Sequence, residues 1–185
     1  MKVMIPLARL SFPDLFDAVQ YQGQGDANYR AQFLVEPGSE GDKAIRAAIQ
    51  QVATEKWKAK APQILASIEN NSQKNAYVSG DTKAYDGYAG MMALSASRKE
   101  DAGRPSTLKR DGTPAVAADG VFYSGCYVMA SVEFWAQDNN YGKAIRCTLR
   151  GVKFVKDGQS FGATTTAADA DEFPEMAEEL VDDFV

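Results

Sequence analysis

The sequence predicts a mainly β protein, a small barrel or sandwich into which one helical segment is inserted. Two observations predict this class. Short segments with alternating apolar and polar residues recur along the chain, and the regular alternation of strands with helices that marks an α/β sheet does not appear. The 185 residues are 45% hydrophobic and 24% charged, a composition that gives one globular domain a hydrophobic core.

The N-terminal part supplies the first strands and the helical segment. Residues 2–12 and 28–35 have the character of strands, and the loop between them contains the letters GQGDAN. Ser39 is a suitable helix cap. From residue 43 to residue 61 the apolar side chains, Trp57 among them, recur at helical spacing, which predicts an amphipathic helix.

The middle of the chain is predicted to be less regular. Pro62 interrupts the helix, and residues 63–70 are expected to form a second, short helix. The polar stretch 71–90, rich in Tyr and Gly, is predicted to be irregular. Residues 91–97 are predicted to be a short strand, and residues 98–120 a basic loop with Gly and Pro.

The clearest strand evidence lies in a predicted hairpin. In residues 121–135 one face is mostly small or apolar, and the opposite face carries aromatic beside polar residues. The inward set is Phe122, Ser124, Cys126, Val128, Ala130, Val132 and Phe134. After a turn at 136–142, residues 143–154 alternate Ile145, Cys147 and Leu149 against Arg146, Thr148 and Arg150. Gly151 is expected to mark a bulge.

Negative charge is concentrated at the C-terminal end. From Asp169 onward there are eight acids and no base, which leaves 17 acids against 20 Lys and Arg in residues 1–168. The chain is therefore a mildly basic body joined to a polyanion. We divide it into a folded domain over residues 1–160 and a flexible linker with a disordered acidic tail over residues 161–185.

Several kinds of chemistry have no candidate residues. The chain has no histidine, which removes histidine-based catalysis and histidine metal sites. GQGDAN fails the GxGxxG pattern at its last position, and the acids of the tail lack the spacing of a calcium loop. Cys126 and Cys147 form no CxxC motif and are expected to be buried, free thiols. We expect no catalytic residue, no metal and no cofactor.

The location is expected to be the cytoplasm. The N-terminal residues do not have the pattern of a signal peptide, and no apolar run approaches the roughly 20 residues of a membrane span. Free thiols also fit a reducing compartment.

The predicted hairpin has the side chains of a single-strand binder on its outer face. Tyr123, Tyr127 and Trp135 would stack on bases, and Arg146, Arg150 and Lys153 on the neighbouring strand would contact phosphates. The basic loop would extend this surface with Arg98, Lys99, Arg104, Lys109 and Arg110. The alternative is structural, because aromatic residues favour strands anyway and the helical segment could cover this face.

The end of the tail has the features of a partner-binding motif. Phe184 is expected to anchor in a pocket of a partner, with Asp182 and Asp183 against a basic rim. The alternative is an acidic terminus that only keeps the protein in solution.

Four runs of the sequence resemble a family of phage and prophage single-stranded-DNA-binding proteins, long catalogued as a domain of unknown function. These runs are RLSFPDLFDA (9–18), YRAQFLVEP (29–37), FYSGCYVMASVEFWAQDN (122–139) and GKAIRCTLRGVKFVKDGQSFG (142–162). The resemblance implies an OB-fold, a five-stranded barrel with a helix between strands, that binds single-stranded DNA in phage replication and recombination. It also implies that the acidic tail recruits replication or recombination proteins and competes with DNA. Val185 after Phe184 departs from the best-known tails, which end on Phe.

Together these observations predict a non-enzymatic protein that binds single-stranded DNA without sequence preference, in the host-cell cytoplasm if the chain is phage-encoded. Weaker binding to duplex DNA is expected, because a cationic face attracts both forms. An exposed strand or helix could also pair two copies into a homodimer. Two alternatives stay open: a protein–protein adaptor on an OB-like barrel with a solubilising tail, and a metal-dependent nuclease with paired carboxylates.

Overall fold

The computed structural model describes residues 1–162, which form seven strands and two α-helices. The strands are β1 (Lys2–Tyr21), β2 (Gln24–Val35), β3 (Tyr77–Ser79), β4 (Met92–Lys99), β5 (Ser106–Leu108), β6 (Tyr127–Asn139) and β7 (Gly142–Lys156). The helices are α1 (Glu40–Trp57) and α2 (Ala61–Ile68), with a 3₁₀ turn between them. None of the helices in this described range is long and apolar enough to cross a membrane.

Five of the strands close into a barrel. The order of neighbours is β1-β2-β4-β7-β6, and β6 returns to pair with β1. All of these pairings are antiparallel except that of β4 with β7, which is parallel and joins Ser97 to Thr148. β3 adds to β4, and β5 adds to β7. A closed ring of five strands with a helix between two of them is an OB-fold, as expected.

The hairpin of β6 and β7 alternates as predicted. Val128, Ala130, Val132 and Phe134 are fully buried on β6, and their counterparts Ile145, Cys147 and Leu149 are buried on β7. A strand sends successive side chains to opposite faces, so the residues between these point outward. The predicted bulge is also present: Ser131 pairs with Gly151 and Val132 with Leu149, which leaves Arg150 as the extra residue.

Helix α1 packs against β1 and β6 on the inward side of the barrel wall. Ser39 caps it as predicted, with its hydroxyl accepting from the Asp42 amide at 3.3 Å. Its apolar residues Ile45, Ala48, Val52 and Trp57 belong to the same core cluster as the inward residues of β6. The helix therefore does not cover the outer face of the hairpin, where Trp135 is 45% exposed.

Several predicted boundaries were wrong. β1 and β2 extend through most of the expected GQGDAN loop, which shrinks to a turn at Gln22 and Gly23, both with positive φ. The turn between β6 and β7 likewise shrinks from 136–142 to the two residues between the strands. A strand continues as long as the neighbouring strand supplies backbone hydrogen bonds, even where its side chains are polar. The polar ends of these strands were therefore predicted as loops.

The start of β6 is the boundary that matters most for the site. It begins at Tyr127 and not at residue 121, because Gly125 has φ +112° and turns the chain away from the sheet. A side chain on Gly125 would overlap the backbone of Gln159, which crosses it closely. The inward–outward alternation of β6 therefore cannot be extended back through Gly125 to predict which way the Tyr123 side chain points.

Three other predictions were corrected. The helix ends at Lys58, which has φ +53°, while Pro62 occupies the first turn of α2, where proline is tolerated. The stretch 71–90 contains β3. The loop predicted over 98–120 contains the end of β4 and the whole of β5.

A buried polar network ties α1 to the barrel. The Asp42 carboxylate, only 4% exposed, accepts from the Tyr77 hydroxyl at 2.7 Å, the Gly38 amide at 2.9 Å and the Arg46 Nε at 2.8 Å. Burial alone would raise the pKa of Asp42, but these three donors outweigh it and hold the pKa below its ordinary value. Burial beside this carboxylate raises the pKa of Tyr77.

Both cysteines are free and buried, as expected. Burial raises the pKa of the Cys126 thiol and, more strongly, that of Cys147. Both side chains are therefore neutral packing groups at physiological pH.

The Asp42 network predicts a specific pH dependence of stability. Because the folded-state pKa is depressed, the contribution is present above the unfolded-state pKa and is lost as pH falls through the folded-state pKa. Asp42→Asn should lower the free energy of unfolding at neutral pH by about 2 kcal/mol and flatten the acid limb of the stability profile. Urea denaturation from pH 7 to pH 2 measures both effects.

The matched control is Asp138→Asn, because Asp138 forms a more exposed ion pair with Lys143. Its replacement should change stability less than Asp42→Asn does. Equal losses in the two variants would contradict a special role for the buried network.

Candidate nucleic-acid interface

A large groove crosses the outer surface of the barrel, with a volume of about 1060 Å³. Its walls come from β1, β2, β4, the β6–β7 hairpin and three connecting segments, before β3, between β3 and β4, and after β4. Four aromatic residues line it, Phe12, Tyr21, Tyr85 and Trp135, and each is between 45% and 66% exposed. Its basic residues are Arg30, Lys83, Arg98, Lys99 and Arg146, against the two acids Asp14 and Asp101.

The groove is assembled by strand pairing. Trp135 of β6 is opposite Arg146 of β7, and Thr148 two residues further is opposite Ser97 of β4. Ser97 in turn pairs with Arg30 of β2. Paired residues point to the same face of a sheet, so this row forms one outward-facing belt around the barrel.

Arg146 is held in place without losing its charge. Its Nε donates to Oε1 of Gln137 at 3.1 Å, and its Nη1 donates to the carbonyl of Gln73 at 2.9 Å. Both partners are neutral. The guanidinium beside the exposed Trp135 ring is thus oriented and still available to an anion.

The far end of the belt pairs a cation with an aromatic ring. The Arg30 guanidinium carbon lies 6.0 Å from the centroid of the Tyr21 ring, and Nη2 donates to the carbonyl of Val19 at 3.1 Å. The Nε of Arg30 is buried and has no hydrogen-bond partner among residues 1–162. An unsatisfied buried donor of this kind is costly unless a ligand or water satisfies it.

Residues 80–91, which we call the groove loop, form another wall. Tyr88 is fully buried, with its hydroxyl donating to Oε1 of Gln32 at 2.8 Å and lying 3.0 Å from the Ser11 hydroxyl. Lys83 donates to the same Gln32 oxygen at 3.3 Å, and burial lowers its pKa. Tyr85 packs edge-to-face between Tyr88 and Phe12, at 5.3 and 4.9 Å.

Four residues of the predicted site lie on this groove: Trp135, Arg146, Arg98 and Lys99. Arg98 also has a structural task, because its Nε and Nη2 donate to the carbonyls of Gly103 and Ala102 at 2.6 Å each. Lys99 pairs with Asp26 at 3.1 Å, and this exposed ion pair contributes little to stability.

Arg150 and Lys153 lie in a separate, smaller pocket of about 290 Å³. The pocket shares no lining residue with the groove and is mainly apolar, with Met4, Met129 and Leu108 around the two cations. The bulge at Arg150 divides the outer face of β7 into these two regions.

The two predicted tyrosines are not part of the groove lining. Tyr123 is partly buried against the core, and its hydroxyl lies 2.7 Å from Asp157, to which it donates. The half-buried Tyr127 ring is flanked by the Arg9 guanidinium at 5.3 Å and the Lys156 ammonium at 4.6 Å. Both tyrosines are thus already engaged by side chains of the fold, Tyr123 through its hydroxyl and Tyr127 through its ring.

The remaining predicted residues are scattered. Arg104 lies 5.0 Å from the Phe16 ring, Lys109 forms an ion pair with Asp119 at 3.4 Å, and Arg110 is exposed after β5. Asp182, Asp183 and Phe184 lie outside the described residues. Within residues 1–162 no group of three or more His, Cys, Asp or Glu side chains could hold a metal ion.

Sequence reasoning missed Phe12, Tyr21, Arg30, Lys83 and Tyr85. The segment 28–35 carries the polar–apolar alternation that places Arg30 and Gln32 outward, so a signal for part of this set existed. No local pattern shows that β2 and the groove loop lie beside the β6–β7 hairpin, because the closure of the barrel brings them there.

The fold and the groove define the class of protein. An OB barrel whose outer groove is lined by exposed rings and basic side chains has the surface of a single-stranded nucleic-acid binder. The family model of the single-stranded-DNA-binding protein of Enterobacter phage Enc34 matches residues 1–185, and the chain belongs to this family. It is a family of binding proteins and not of enzymes, which confirms that expectation.

A phage relative covers almost the same length. Protein p50 of Acyrthosiphon pisum secondary endosymbiont phage 1 is 45% identical over 184 residues, which are 97% of this chain and 97% of that protein.

Solved phage structures share the fold. The single-stranded-DNA-binding protein of bacteriophage Enc34, in complex with single-stranded DNA, superposes with a TM-score of 0.70 at 22% identity, over 87% of this chain and 89% of that one. The single-stranded-DNA-binding protein gp2.5 of bacteriophage T7 gives 0.58 at 11% identity, over 90% and 98%. At these identities the similarity establishes the fold.

Proposed function

We propose that this chain binds single-stranded DNA along the groove, without sequence preference, in phage DNA replication or recombination in the host-cell cytoplasm. The observation that carries the proposal is the lining of the groove, in which four exposed aromatic rings lie among five basic side chains. Rings stack on any base, and cations follow any phosphate, so such a surface does not select a sequence.

The proposed path begins at Trp135 and Arg146 and continues to Arg30 and Tyr21. Trp135 offers a flat ring at one end, and Arg146 beside it is pre-oriented toward a phosphate. The Arg30 guanidinium, beside the Tyr21 ring, supplies a second cation at the other end. Arg150 and Lys153 would contact the strand only if it continued past the bulge.

Single-strand preference would come from stacking. A cationic groove attracts duplex DNA as well, but paired bases cannot stack on Trp135 or Tyr85. We therefore expect weaker duplex binding, and a competition titration with single-stranded DNA, duplex DNA and RNA measures the ranking.

The tail would compete with DNA and recruit partners. The described part of the structure ends beside the groove loop, because the Gly162 amide donates to Oδ2 of Asp86 at 3.0 Å. The acidic run begins at Asp169, only a few residues later. A polyanion joined at the groove wall has the charge to occupy the same cations, and Asp182, Asp183 and Phe184 would engage a replication or recombination protein.

Neutralising a groove cation should lower both the affinity for oligo-dT and its salt dependence. Each phosphate contact contributes about 0.7 to the slope of log K against log salt for single strands. We expect Arg146→Gln to reduce the slope by about 0.7, as measured by fluorescence anisotropy over a range of salt concentrations.

Arg110→Gln is the matched control, because it removes the same charge from the basic segment outside the groove. An unchanged slope for Arg110→Gln supports the groove as the path. An equal reduction in both variants would show that DNA also contacts Arg110, outside the groove. The absence of binding by the unaltered chain at low salt would overturn the proposed function.

Trp135 should report binding directly. The chain has two tryptophans, of which Trp57 is 6% exposed and Trp135 is 45% exposed. Oligo-dT should quench the emission of Trp135, so Trp135→Phe should abolish the quenching and Trp57→Phe should retain it. Trp135→Ala should weaken binding by about 1–3 kcal/mol through the loss of one stack. Quenching that survives in Trp135→Phe would contradict this stack.

Deleting residues 169–185 should tighten DNA binding, most of all at low salt, where the competing polyanion is least screened. The control keeps the length and replaces the eight acids with Asn or Gln. Both variants should bind oligo-dT more tightly than the unaltered chain does. Equal affinities for all three proteins across the salt range would show that the tail does not compete.

A further inference from the structure

One segment outside the groove lining joins the end of β7 to the groove loop. Residues 157–162, which we call the strap, follow β7 and cross the outer surface toward the groove loop. The Phe161 amide donates to the Ser124 carbonyl at 3.0 Å, and the Arg9 Nη2 donates to the Gln159 carbonyl at 2.6 Å. The strap is thus fixed at Gln159 and at Phe161.

Phe161 is the side chain through which the strap reaches the groove loop. Its ring packs onto a small outer cluster formed by Leu34, Tyr88 and Ala93, with Met91 beside it. It also fills the space over Gly87, where a Cβ atom would overlap the ring and where φ is +81°. Glycine at this position permits both the turn and the contact.

A cation also lies over the Phe161 ring. The Arg9 guanidinium carbon lies 4.3 Å from the ring centroid. Arg9 itself is anchored, with its Nε donating to the Gly125 carbonyl at 3.2 Å. The ring is therefore held between the barrel and the loop, and Gly162 adds its hydrogen bond to Asp86.

The cluster that Phe161 completes supports the groove-lining residues. Tyr88, at its centre, packs edge-to-face on Tyr85 and donates to Gln32, which also accepts from Lys83. A displacement of Tyr88 would move a stacking ring and a cation of the groove together. Phe161 lines no part of the groove itself.

We propose that Phe161 is a positioning residue of the DNA groove. It sets the groove loop so that Tyr85 and Lys83 face the bound strand, and it couples this wall to the chain that follows Gly162. The inference rests on the proposed function in that the groove is where DNA binds. Any force on the tail would act on the loop through the strap.

Binding measurements test the coupling. Phe161→Ala should weaken oligo-dT binding about fivefold, as for the loss of roughly one stack, although Phe161 does not touch DNA. Phe161→Tyr keeps the ring and should stay within about twofold of the unaltered chain. In a Lys83→Ala/Tyr85→Ala background, Phe161→Ala should cost less than about twofold, because the residues through which it acts are already gone.

Phe122→Ala is the control for general destabilisation. Phe122 is also a partly buried ring, but it packs on the main core beside Phe16 and Phe154. Its removal should lower the melting temperature without changing the affinity measured well below it. A full fivefold effect of Phe161→Ala in the Lys83→Ala/Tyr85→Ala background, or no effect in the unaltered background, would overturn the proposal.

Hydrogen exchange tests the inference without DNA. Phe161→Ala should speed exchange of the Gly80, Lys83, Gly90 and Met91 amides, which hold the groove loop together, and leave the amides of β6 unchanged. Unchanged exchange in the groove loop would contradict the positioning role of Phe161, independently of whether the chain binds DNA. If the loop loosens but Lys83→Ala/Tyr85→Ala leaves affinity intact, the proposed DNA path fails while the structural coupling stands.

Discussion

The parallel contact between β4 and β7 is the constraint on which the groove depends. Without it the strands would form an open sheet joined through β1 and β6, in which those two strands would separate β2, with Arg30, from β7, with Arg146. The contact joins Ser97 to Thr148, two small outward-facing residues at the middle of the belt. Because these two side chains are small, the floor of the groove is low where β4 meets β7. The larger aromatic rings rise on either side of it.

This constraint also explains what could be predicted from the sequence. The inward and outward faces of β6 and β7, and the bulge at Gly151, follow from local alternation and were predicted correctly. The assignment of Tyr123 depended on continuing that alternation through Gly125, where a positive φ ends the strand. The β2 and groove-loop walls depend on pairings between distant parts of the chain, for which a single sequence carries no periodic signal.

The basic residues differ in how much of their charge and hydrogen-bonding capacity is already used within the fold. Arg98 and Arg9 each give two donors to backbone carbonyls, so a large part of their hydrogen-bonding capacity maintains loops. Lys109 is neutralised by Asp119. Arg146 is oriented by neutral acceptors, and Arg30 gives one donor to the Val19 carbonyl and lies beside the Tyr21 ring. A count of Lys and Arg therefore overestimates a binding surface, because geometry decides which charges remain available to a phosphate.

The strap gives the acidic tail a defined point of attachment. A segment joined to a site through a short connection acts at an effective concentration on the order of millimolar, so even weak contacts between acids and groove cations would compete with DNA. The same attachment point packs through Phe161 on the loop that carries Lys83 and Tyr85. The tail in the groove and a pull on the strap would then act on the same wall. A partner that captured Phe184 would remove the tail from the groove and, through the strap, pull on Phe161.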